Sequence, residues 1–207
     1  MKTGSHRMKP AAIGACMHSG WGALVAVSNL AGNFEVVERR RIAVTSIGTL
    51  GVNQPYHFAK KLALPEAEKF IGNCFATSKN LALTAVRDIV SGLRARQYRV
   101  VGSACLLASG RPRPPLAKIL ASHAAIHAAE GEFFRDIFSN VCQELALSVT
   151  SFRERDLDAS LHAAFGKAAT KLKHQILTRG RSLGPPWTAD QKTASLAAVL
   201  VLANGKY

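Results

Sequence analysis

His123, His127 and Glu130 stand at spacings of four and three residues, which places all three on one face of a helix. Two imidazoles and a carboxylate so arranged can ligate Zn²⁺, Mn²⁺ or Fe²⁺ when another element supplies a further donor. The same spacing also describes a polar helix face whose histidines are hydrogen-bonded and hold no ion. Asp190 follows Thr188 by two residues at the start of an Ala- and Leu-rich run. There a carboxylate can serve catalysis, or can complement the positive end of the helix dipole. Cys16 and His18, two residues apart, fall on the same face of a strand and have the makings of a nucleophile pair. No oxyanion-hole or elbow motif accompanies them. Trp21 reads as a packing residue or as a stacking platform for a base.

A second group of side chains is suited to phosphate. Arg39, Arg40 and Arg41 run consecutively in a strand-like segment, so their side chains alternate between two faces. Arg111 and Arg113 lie in a stiff Ser-Gly-Arg-Pro-Arg-Pro-Pro loop at 109–115. Such guanidinium groups bind phosphates without reading bases. A solvated charged face is the competing reading. No reading helix and no aromatic stacking signature supports base-specific recognition.

The composition frames these candidates. The chain has 207 residues, 48% hydrophobic and 19% charged, and this excludes a disordered chain and allows one full-sized core. One domain over 12–207 is expected, after a flexible basic segment over 1–11. The formal charge is +14, and it is uneven: residues 1–120 hold 17 Lys and Arg against 5 Asp and Glu. That excess is compatible with an anionic partner and does not by itself identify one. The four cysteines are far apart and form no CxxC, as expected of reduced thiols rather than a disulfide framework or a zinc ribbon. The apolar stretch at 10–16 is too short for a secretory signal, and the run at 196–203 is too short for a membrane helix. A cytoplasmic protein without membrane contact is the expectation.

The elements that must position these residues are legible in outline. Segments 12–17, 21–28 and 34–44 have strand chemistry, with Ser19-Gly20 and the Asn29 to Asn33 segment supplying turns. The three predict an antiparallel meander. Residues 45–63 show no period and read as an irregular crossing loop. Pro65, Glu66 and Glu68 then open a helix to about 96, and 99–107 is a buried-type strand. A long helical pattern follows over 116–145, with a kink expected at Gly131. A brief strand at 148–152, helical material over 153–179 interrupted at Gly166, and a last helix capped by Thr188 complete the chain.

This order, three meander strands followed by alternating helices and strands, resembles the ribonuclease H-like superfamily. Its second half is similar to the RuvC-type Holliday junction resolvase branch. The resemblance rests on the 100–107 strand, the Ala-rich helix at 120–129 leading into 147–153, and Thr188-Ala189-Asp190-Gln191-Lys192 opening the closing helix. It implies an α/β fold, a mixed sheet with helices on both faces. It also implies carboxylates clamping two divalent metal ions for phosphodiester hydrolysis. The sequence departs from that pattern. The first strand carries Cys16 and His18 in place of an acid, and no acidic residue occurs between Asp88 and Glu130. Asp190 alone matches, while Glu130 could rescue one ion if its helix leans over the sheet. A catalytically degenerate domain that binds nucleic acid is therefore expected. Two alternatives stand beside it: a metal-dependent hydrolase or nuclease with an altered site drawn from His18, His123, His127, Glu130 and Asp190, and a structural module that pairs, as a homodimer, through its Ala-rich helices.

Overall fold

Two residues, Ser19 and Gly20, separate the first two strands, β1 (Lys9–His18) and β2 (Trp21–Leu30). Gly20 adopts φ +81°, a conformation that side chains disfavour, and this closes a tight hairpin pairing His18 with Trp21. β3 (Asn33–Ala43) folds back antiparallel on β2, with Trp21 opposite Ala43. The computed structural model describes residues 8–30, 32–46, 48–107, 113–179 and 183–205. β4 (Tyr98–Leu107) lies parallel on the other side of β1, and β5 (Val149–Arg153) lies parallel to β4. The strand order is β3-β2-β1-β4-β5. β1 and β4 are central, so both faces of each are covered and their sequences read as continuous small and apolar runs.

The helices are α1 (Pro55–Ala59), α2 (Leu64–Ala95), α3 (Leu116–Leu120), α4 (His123–Glu144), α5 (Leu157–Phe165), α6 (Ala169–Arg179) and α7 (Ala189–Asn204). They sort onto the two faces by the alternation of the strands. Ile13, Ala15 and Leu24 pack with Ile89 and Leu93 of α2 and Phe133, Phe134 and Phe138 of α4. Ala12, Val25, Val27 and Ala104 pack on the opposite face with Leu161, Ile176 and the apolar length of α7. Helices on both faces of a mixed sheet are thus what the element order predicted. Among the described residues, no helix is long and apolar enough to cross a membrane. All four cysteines are free, and Cys74, Cys105 and Cys142 are buried.

Two local readings are corrected. The segment over 45–63 is not wholly irregular, because Pro55 starts the short helix α1 there. The long pattern over 116–145 breaks at Ser122 rather than at Gly131. The Ser122 side chain accepts from the Ala125 amide and so restarts the helix as α4, with Gly131 well inside it.

Candidate functional site

Alternation along β1 turns Cys16 and His18 toward α7, the opposite face from Ala15 and Met17. α7 begins with a capping box, in which Thr188 and Gln191 each satisfy the other's backbone amide, so the position of Asp190 in the first turn is fixed. The three side chains meet there. His18 Nε2 lies 3.2 Å from Asp190 Oδ1, Cys16 Sγ donates to the same oxygen at 3.5 Å, and Cys16 Sγ is 3.6 Å from His18 Nε2. On its outer side the His18 ring stacks on Trp21, with centroids 4.3 Å apart and planes 15° from parallel. The Arg41 guanidinium lies 4.2 Å from the Trp21 ring centre. Five side chains from β1, β2, β3 and α7 thus form one continuous stack and hydrogen-bond chain.

The chemistry of that cluster is set by the thiol. Burial, then the charge of Asp190 and the hydrogen bond to it, then the charge of Glu154, together push the Cys16 thiol up to about 12 against the opposing charge of Arg135. Cys16 therefore stays protonated at neutral pH and acts as a donor, the reverse of what a nucleophile pair requires.

A second cluster joins α1 to α4. Glu130 Oε1 accepts from the backbone amides of Tyr56 at 2.8 Å and His57 at 3.0 Å, and lies 3.3 Å from His57 Nδ1. Burial raises the Glu130 carboxyl above its ordinary range, against the lowering effect of those bonds. Its Oε2 is buried and has no hydrogen-bond partner among the described residues. Glu130 is accordingly absent from the group formed by Cys16, His18 and Asp190. The rings of His57 and His127 are 4.8 Å apart, those of His123 and His127 4.4 Å, and those of His57 and His123 5.8 Å. His57 was not a sequence candidate, because it lies where no periodicity is visible. The one available signal was Pro55, a helix-start residue two positions earlier.

No protein-family model and no curated protein sequence matches the chain. Among solved structures it is similar to Thermus thermophilus RuvC, at 13% identity and TM-score 0.48 over 93% of each chain. T. thermophilus RuvC in complex with Holliday junction substrate gives 12% identity and TM-score 0.49, over 93% of this chain and 92% of that one. An Aquifex aeolicus member of the Ppx/GppA family gives 14% identity and TM-score 0.37, over 77% of this chain and 40% of that one. The decisive feature is the sheet itself, an antiparallel β1–β3 meander with β4 and β5 added parallel beside β1. The chain has a ribonuclease H-like fold.

The paired divalent ions of ribonuclease H-like nucleases demand several hard oxygen ligands. Here the end of β1 offers a protonated thiol and an imidazole, and the buried end of β4 reads Ser103-Ala104-Cys105-Leu106. Among the described residues, Asp190 is the one carboxylate in the group with Cys16 and His18. This donor set does not fit two Mg²⁺-class ions.

The arginines separate into engaged and unengaged. Arg39 donates to the carbonyls of Leu183, at 2.7 Å, and of Pro185 and Pro186, tying β3 to the segment before α7. Arg113 pairs with Asp136 and donates to the Tyr56 hydroxyl at 3.2 Å. Arg111 lies outside the described residues. Arg40 and Arg41 are exposed, and neither has an ion-pair partner among the described residues. Beside Trp21 and Arg41 opens a cleft of about 500 Å³, also lined by Thr45, Thr49 and Asn53.

Proposed function

We propose that this ribonuclease H-like chain binds nucleic-acid phosphates at the β1–β3 end of its sheet and does not cleave them by two-metal chemistry. The observation that carries the reading is Arg41. Its guanidinium is held over Trp21, has no ion-pair partner among the described residues, lines a polar cleft and lies next to a cluster with a single carboxylate. A guanidinium held over an aromatic ring can still present donors to a phosphate. The +14 charge supplies a long-range attraction to the same ligand class.

Fluorescence anisotropy on labelled duplex, junction and single-stranded DNA tests the binding. The expected outcome is weak, sequence-tolerant affinity that falls steeply with salt and weakens in Arg41→Ala. Absence of binding at low salt rejects the reading. Incubation of the same substrates and an RNA–DNA hybrid with Mg²⁺ or Mn²⁺ tests the second half. Cleavage by the natural chain that disappears in Asp190→Asn overturns it.

A further inference from the structure

We propose that His57, His123 and His127 form a site for one Zn²⁺-class ion, with Glu130 orienting His57 from the side away from the metal. One ring nitrogen from each of the three histidines lies within 4.8 Å of the others. Tetrahedral zinc with bonds of about 2.0–2.1 Å brings its nitrogen ligands to roughly 3.4 Å apart. The remaining closure is within reach of side-chain rotation, because His123 and His127 are exposed and one turn apart on α4. His57 is the fixed member. Its Nδ1 faces Glu130 Oε1 at 3.3 Å, and the same oxygen holds the backbone amide of His57. That contact leaves Nε2 for a metal, the arrangement of a carboxylate that orients a zinc-bound imidazole.

Two features favour a metal over a packed trio of neutral rings. Glu130 is only 6% exposed, and its second oxygen is buried with no hydrogen-bond partner among the described residues. A buried carboxylate left half-satisfied needs compensation, which a cation across the His57 ring supplies. The donors are also all imidazole. This set suits Zn²⁺, Co²⁺, Ni²⁺ or Cu²⁺ and is poor for Mg²⁺ or Ca²⁺. Three protein ligands leave a fourth position, on the exposed side of His123 and His127, for water or an oxygen of a small ligand. The site involves none of Cys16, His18 and Asp190, and its existence does not depend on nucleic-acid binding.

The test uses the full chain, stripped with a chelator and shown by circular dichroism to remain folded. Titration with Co²⁺ should give ligand-field absorption that saturates at one ion per chain and is displaced by Zn²⁺. His57→Ala should weaken Zn²⁺ on the order of 100-fold or more, and the exposed variant His123→Asn, which leaves the core untouched, should do likewise. Glu130→Gln should weaken it about 10–100-fold while leaving one ion per chain, the mark of a positioning residue. Cys16→Ser should leave affinity unchanged. No saturable binding of either ion overturns the proposal. So does binding that survives His123→Asn and disappears in Cys16→Ser, since the ion then sits with the other cluster.

Discussion

At the scale of single residues, the informative side chain is Cys16. Strand alternation alone places it on one face with His18. What it faces is decided by α7, whose first turn delivers Asp190 to 3.5 Å from the sulfur. Asp190 raises the thiol by its charge and by accepting its hydrogen, on top of the larger effect of burial. Asp190→Asn removes the charge, so the Cys16 pKa should fall from about 12 while burial keeps it above the ordinary thiol value. Each unit of fall raises the thiolate fraction about tenfold at a fixed pH. Alkylation of Cys16 by iodoacetamide, followed peptide by peptide at pH 8, should therefore quicken in the variant. Cys105 and Cys142, raised mainly by their own burial, should stay unreactive. An unchanged or slower Cys16 rate would contradict the Cys16–Asp190 contact. Spacing in the sequence exposes pairs such as Cys16 and His18, or His123 and His127. It is blind to partners 174 or 73 residues away, and so Asp190 with Cys16 and Glu130 with His57 became visible only once the helices had packed.

At the scale of elements, the closeness of α7 to the sheet is what makes that contact geometry. A Cβ built on Gly14 in β1 would lie 1.8 Å from the carbonyl oxygen of Ala194 in α7. Backbone at that distance has no rotamer by which to yield, so Gly14→Ala should push α7 off β1 and cost about 3 kcal/mol, read by urea denaturation. The matched control is Gly72 on the exposed side of α2, where an added Cβ meets nothing within 4 Å. Gly72→Ala should stabilise by about 0.5–1 kcal/mol, because glycine is a poor helix former. Equal effects at the two sites would mean that α7 is not seated on β1. Strand and helix identities were legible because the central strands are apolar throughout and α2 keeps a clear helical period. The break at Ser122 and the helix α1 were not. Each depends on a single capping or helix-starting residue, and a five-residue helix is too short for periodicity to register.

At the scale of the whole molecule, the question is which of the excess positive charges meet a polyanion. The sequence presents Arg39, Arg40 and Arg41 as one unit, but the fold divides them. Arg39 is bound to three carbonyls of the segment that leads into α7, while Arg40 and Arg41 stand exposed with no ion-pair partner among the described residues. Nucleic-acid affinity falls with salt in proportion to the phosphates neutralised, at a slope of about −0.9 per contact on duplex DNA. Replacing Arg40 and Arg41 together with Ala should therefore flatten the logarithmic salt dependence by about 2 and weaken binding to every sequence alike. Arg39→Ala should leave the slope where it is and lower stability by about 1 kcal/mol, through the lost carbonyl contacts. The two variants thus move different observables, one in anisotropy at several salt concentrations and the other in urea denaturation. A slope that changes with Arg39 and not with Arg40 and Arg41 would place the phosphate path beside the segment that leads into α7 rather than at Trp21. An unchanged slope in both would move it off this strand altogether, to the other basic residues of the first 120.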